Sequence, residues 1–451
     1  MSGYAGWFDS FADSAEKWSS SDFNERGFGA ACWTLQTGLF LAGLSFRSPG
    51  FTVSKRCIFM NPGEHDAELK HGGPIRSSNN NAEKPWVQVV ASQDFTNWLG
   101  LQEISLAFTT YQTGKLFFAG CKSDHSLAIF ERSFSHCMGL WSSEDSQTLW
   151  LSTKFQLWRF SRSVTQGIPF HMAGDSAQDQ KSNVAPAWTT RGYDYVYLPR
   201  VGFTTGNIDI HDVAVTGDGQ VVFVSTLFSC LATLSEHSSF RPLWHPSFVT
   251  ELVPEDRCHL NGLAMKNGEP AFVTLVARTN TPDGWRDHRL AGGCVIDVAN
   301  NEVVAHGLSM PHSPRWYRDR LWVLNSGCGE FGFIDLATGK FQAIAFCPGY
   351  LRGMAFVGDF AIVTLSKPRY ADFQGLPLDE QLTRFRIEAQ CGLHVIDLRS
   401  GNIAHWLKME GSLVTELYDT VTLPGVRQPM AIGFISPEIE QLISIDHEGT
   451  S

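Results

Sequence analysis

The chain has 451 residues, with 35 Lys and Arg against 46 Asp and Glu for a formal charge of −11, and 43% of its residues are hydrophobic. That balance is globular and excludes a disordered or collagen-like chain. An acidic chain without a Lys/Arg cluster also argues against nucleic acid as a partner, because backbone phosphates are held by concentrated positive charge.

The opening run MSGYAGWFDSFADSAEKW is acidic where a secretory leader would be basic. The apolar stretch from Leu35 to Phe46 falls short of the ~20 residues a spanning helix needs. The ten cysteines include no Cys-x-x-Cys pair and several sit in apolar runs. The expectation is a cytoplasmic protein with buried thiols and no association with membranes. Residues 1–84 read as an irregular extension, with loop-like segments such as SSSDFNERG, MNPGEHD and SSNNNAEK. Its Trp7, Phe8, Phe11 and Trp18 suit packing on the rest of the chain, self-association or docking to a protein partner.

From residue 85 to 451 the texture changes to short β-rich runs that recur in one order. ISLAF, KLFFAG and SLAIF follow Ile104, then CMGLW, TLWLST, QLWRF and YVYLP from Cys137. HDVAV, VVFVST and CLATL start at His211, and HLNGLAM, AFVTLV, GGCVIDV and EVVAHGL at His259. HSPRW, LWVLNSG, FGFIDL and FQAIAF start at His312, and LRGMAF, AIVTLS, GLHVIDL and IAHWLKM at Leu351. Gly217-Asp218-Gly219 and Lys266-Asn267-Gly268 supply tight hairpin turns after the first strand. Four-beat units at intervals of about 40–50 residues predict an all-β fold, a six-bladed β-propeller with the irregular N-terminal extension. PMAIGF and QLISID either begin a seventh blade or close the ring with an early strand such as WVQVV.

In a propeller the first strand of each blade lines the central channel, so residues at its entry converge from distant sequence positions. His211, His259 and His312 fall there and are the candidate catalytic residues, able to transfer protons or to hold a divalent metal ion. Asp209 or Asp212 would orient an imidazole or complete a coordination shell. A histidine at a blade entry also serves simply to bond a neighbouring blade's backbone. Two loops between second and third strands are long, 277–293 and 366–390, and rise over the same mouth. With Trp285, Arg286, Arg278, His288, Lys367 and Arg369 they make a basic rim. Asp212, Asn261, Arg315, Arg352, Trp285 and Arg286 are the candidate substrate-binding residues, and the arginines suit an anionic ligand. Gly327-Cys328-Gly329 has no following helix, so no nucleotide cofactor is expected. Glu255-Asp256 before Arg257 reads as a turn with a local ion pair.

The segments TTGNIDIHDVA (204–214), PEDRCHLNGLAM (254–265), TPDGWR (281–286), GLSMPHSPRW (307–316) and VIDLRSGNI (395–403) closely resemble a family of bacterial conserved hypothetical proteins with a propeller-like domain of unknown function. The likeness runs from about residue 104 to 429 and leaves out residues 1–84. It implies the fold and brings no reaction with it. Two functions follow from the residues. One is an enzyme whose central funnel binds a small anionic molecule, with metal-assisted hydrolysis, isomerisation or oxygenation all open. The other is a non-catalytic propeller that binds a ligand or a protein.

Overall fold

Runs of β-branched and aromatic residues bounded by tight turns form six sheets. The computed structural model describes residues 56–60, 87–164, 192–368, 374–434 and 439. Trp7, Phe8, Phe11, Trp18 and Arg369 from the reading above lie outside the described residues.

The innermost strands, in chain order, are Leu140–Ser142, Ile210–Val215, Leu260–Lys266, Pro311–Tyr317, Tyr350–Val357 and Thr420–Pro424, and they head blades one to six. Neighbouring inner strands touch around the whole ring, blade six against blade one included. The fold is therefore a six-bladed β-propeller, as the repeats predict. Closure differs from the expectation. Thr420–Pro424 pairs antiparallel with Ile104–Thr110, Thr420 opposite Phe108, so blade six joins one late strand to three early ones. Ile104–Thr110 is accordingly the second strand of its blade, and no seventh blade forms among the described residues. Pro429–Ala431 instead runs parallel to Tyr195–Thr204 on the outer edge of blade one. Val87–Ala91, the WVQVV run, adds to the outside of blade five through Ile403–Glu410 and takes Arg56–Met60 as a further strand. Joining distant segments in one sheet removes the free edge that an open ring would carry.

Middle strands are buried on both faces, which is why the VVFV of Val221–Ser225 is a continuous apolar run rather than an alternating one. Val222, Val224 and Leu231 of blade two pack against Leu263, Val273 and Leu275 of blade three. Each such side chain contributes about 1.5–3 kcal/mol on leaving water. Two-residue hairpins set the register: Asn267 and Gly268 have φ of 55° and 79°, and Arg318 and Asp319 have 50° and 57°. Both pairs match the twist of the flanking strands. No helix among the described residues is long and apolar enough to cross a membrane.

Candidate functional site

Strand register aligns the blade entries. Ile210, Leu260 and Pro311 stand opposite Ser225, Leu275 and Asn325, and Leu351 stands opposite Leu365. The residue after each is His211, Asn261, His312 and Arg352, one on each of blades two to five. The carboxylate of Asp212 accepts the backbone N–H of Val213 and of Leu263 on the next blade, and Asp419 accepts those of Thr420 and Leu140 in the same way. That match puts Tyr418 of blade six at the step of His211. His259 occupies an earlier step, two residues before it, in line with Asp209.

The backbone explains why His259 reaches the mouth at all. Asp209, Asp256 and His259 have positive φ of 55°, 45° and 50°, a conformation that L-residues adopt at a cost when the surroundings hold them there. Asp256 Oδ2 accepts hydrogen bonds from His259 Nδ1 at 2.8 Å and from Trp285 Nε1 at 2.9 Å. The Trp285 and His259 rings lie 4.2 Å apart, and the Arg286 guanidinium covers the indole at 4.5 Å. His211 stands edge-on to His259 at 5.2 Å and to Tyr418 at 5.6 Å, with Nδ1 bonded to the Asp209 carbonyl at 3.2 Å. Arg352 lies between the rings of Tyr350 and Tyr418, 5.0 and 5.1 Å from their centres.

These groups enclose a cavity of about 200 Å³ lined by both of the first two histidines, Asp209, Asp256, Trp285, Arg286, Arg352, Tyr418, Tyr111 and Met138. The two long loops meet beside it, where Leu376 and Leu378 pack with Trp285, Met310 and Tyr350. Burial lowers the pKa of His211, opposed by Asp209, and lowers that of His312 further with the Arg352 charge adding to it. Burial also keeps the Tyr418 hydroxyl protonated well past its usual range, against the pull of Arg352.

Of the residues expected at the site, His211, His259, Trp285, Arg286 and Arg352 line one cavity. His312 is buried beside them, its Nδ1 bonded to the Met310 carbonyl at 2.9 Å. Among the described residues no group of three or more His, Cys, Asp or Glu side chains is placed to hold a metal ion. Asn261 is turned into its own blade, where Oδ1 accepts the Thr274 hydroxyl at 2.7 Å. Asp212 and Arg315 pair with each other at 2.7 Å, with Asp419 3.8 Å away. Arg315 lines a different cavity, at the far ends of the inner strands. Arg278 lies over Phe248 at 5.8 Å, away from the mouth. Asp256, read from the sequence only as part of a turn with a local ion pair, and Tyr418, which the sequence did not single out, both line the cavity. The signal for Asp256 was its spacing, Asp-x-x-His, and Arg257 in fact pairs with Glu255 at 2.8 Å.

Among known proteins, the model of a family described as a domain of unknown function, DUF4915, matches residues 93–432. No curated protein matches the chain. Solved structures include a chain of the nidogen/laminin complex, at 12% identity and a TM-score of 0.42, covering 72% of this chain and 99% of that one. A protein of unknown function from Bacteroides caccae has 9% identity and a TM-score of 0.40 over 71% of this chain and 98% of its own. A catalytically inactive virginiamycin B lyase from Staphylococcus aureus has 9% identity and a TM-score of 0.33 over 72% and 98%.

Proposed function

We propose that this chain, which belongs to the family of the domain of unknown function DUF4915, is an enzyme that binds a small anion in the mouth cavity and moves a proton with His259. The observation that carries this reading is the shared oxygen: Asp256 Oδ2 accepts from both His259 Nδ1 and Trp285 Nε1. A carboxylate only accepts, so the imidazole keeps its hydrogen on Nδ1 and presents the Nε2 lone pair as a base. The same carboxylate stabilises the imidazolium once the proton has moved. Arg352 and Arg286 line the same cavity and suit an anionic group through paired N–H donors. The protonated Tyr418 hydroxyl suits charge that develops on the substrate.

Isomerisation and hydrolysis both use such a base. The reading draws on one imidazole, one carboxylate and two guanidiniums. The eight described cysteines are free and seven are buried, which supports a reducing, cytoplasmic compartment. The test is deuterium exchange: the full chain is mixed in D₂O with 2-oxo and 2-hydroxy carboxylates and their C–H signals are followed by proton NMR. The parent protein exchanges or converts one of them, and His259→Gln loses that rate by about 10²-fold or more. A parent that binds a carboxylate and leaves it unchanged moves the assignment to a non-catalytic ligand-binding propeller.

A further inference from the structure

We infer that the anion taken up at this mouth carries a hydroxyl group beside its carboxylate, which makes the substrate class a small hydroxy acid. The inference rests on the anion-binding reading above and adds a second recognition element to it. Asp256 Oδ1 and His312 Nε2 are buried polar atoms without a hydrogen-bond partner. Buried polar atoms are almost always paired, and of the unpaired ones around this mouth, which also include the Tyr418 hydroxyl and Asn261 Nδ2, these two can only accept.

Their chemistry is the same. Asp256 lines the cavity, and its other oxygen already accepts from His259 and Trp285. The free oxygen is therefore a carboxylate acceptor facing no donor. His312 gives its Nδ1 hydrogen to the Met310 carbonyl at 2.9 Å, which leaves Nε2 as an acceptor lone pair on a side chain whose residue is 2% exposed. Asp256 Oδ1, in the cavity wall, calls for an O–H or N–H brought from outside the fold, while His312 is buried beside the cavity and does not line it.

A simple carboxylate has no hydrogen to give at neutral pH. Its oxygens answer Arg352 and Arg286 and leave Asp256 Oδ1 as it was. An ammonium group would also donate, drawn by Asp209 and Asp256 but opposed by the two guanidiniums of the same cavity. A neutral hydroxyl satisfies the acceptor without that repulsion. The cavity of about 200 Å³ has room for roughly six or seven water-sized groups at ~30 Å³ each, the scale of a three- or four-carbon acid.

Propionate, lactate and alanine share one carbon skeleton and differ in the group beside the carboxylate, so their equilibrium binding to the full chain separates the possibilities. Lactate is expected to bind at least about tenfold more tightly than propionate, the size of a hydrogen bond to a charged acceptor. In Asp256→Asn the amide oxygen can take the His259 and Trp285 bonds while an NH₂ replaces Oδ1, and the lactate preference falls toward one. Equal binding of lactate and propionate to the parent overturns the inference and leaves the anion site standing, as does alanine binding most tightly. Binding of none of the three overturns the anion site itself. The parent comparison decides by itself if Asp256→Asn fails to fold.

Discussion

The two ends of the channel are built from the same six strands and differ in kind. At the entry ends, the cavity of about 200 Å³ is lined by two histidines, two arginines, two aspartates, three aromatic residues and one methionine. At the exit ends a larger cavity, about 330 Å³, is walled by Trp141, Met265, Trp316, Tyr317, Met354 and Phe356 among others. There Tyr317 and Phe356 stack 4.4 Å apart and the Lys266 ammonium lies 3.9 Å from the Trp316 ring, so the side chains satisfy one another. Asp256 Oδ1 and His312 Nε2 at the entry have no such partners. Volume alone would choose the exit. Unsatisfied hydrogen bonding chooses the entry, and the topology explains the contrast, because short hairpins turn at the exit while the loop 277–293 and the described part of the loop 366–390 meet at the entry.

The largest effect that tests this contrast is on turnover. His259→Gln should lower the rate by about 10²–10⁴-fold, whereas Trp316→Ala at the exit should leave it unchanged, both read as initial rates on the carboxylate that exchanges. Equal losses would break the distinction between the ends. Next in size is the partition between the two cavities. Arg315 bonds Asp212 at 2.7 Å and faces Asp419 at 3.8 Å, and both carboxylates are almost fully buried. Arg315→Met leaves them without a counter-charge and should cost about 3 kcal/mol in urea denaturation. Smaller again is Gly353→Ala. A Cβ there would stand 2.5 Å from the Asp419 Cα, and so close an approach of two backbones should cost about 1–3 kcal/mol. Both losses of stability fall on the channel interior, and neither should alter the preference for lactate in a folded variant.

The blades were legible because each depends on local chemistry: a buried strand such as LWVLN, a two-residue turn such as Asn267-Gly268, then another strand. The entry of each blade was harder to read. Inner strands carry register shifts, between Ile210 and Val213 in blade two and between Leu260 and Gly262 in blade three, and counting by twos cannot see them. His259 therefore looked like the counterpart of His211, while the true counterpart is Asn261. Tyr418 was hidden for a topological reason. It precedes a closing strand whose partner lies more than 300 residues upstream, so nothing nearby marks it as part of the ring. Arg315 was legible as a channel residue, but whether an arginine meets a ligand or its own aspartates depends on Asp212 and Asp419 arriving from two other blades.

The smallest expected effect is a slope, and it separates the entry from the partition by sign. His211 and His312 are held neutral by burial, with pKa values below the ordinary 6.5. The unfolded chain takes up protons that the folded chain refuses, so their contribution to stability is lost as the pH falls below about 6.5. Asp419 runs the other way. Burial pushes its carboxyl up to about 7, with Arg315 opposing and Asp212 reinforcing the shift, against 3.8 for an ordinary aspartate. Between those values the folded chain holds the extra proton, and the contribution of Asp419 to stability falls as the pH rises. Urea denaturation at several pH values between about 4.5 and 6.5 should therefore show Asp419→Asn rising more steeply with pH than the parent and His312→Gln less steeply. Each difference is bounded by ~1.4 kcal/mol per pH unit for one proton. A parallel curve for Asp419→Asn would mean that Arg315 keeps both carboxylates ionised, and the partition would then carry a net negative charge beneath a cavity that binds anions.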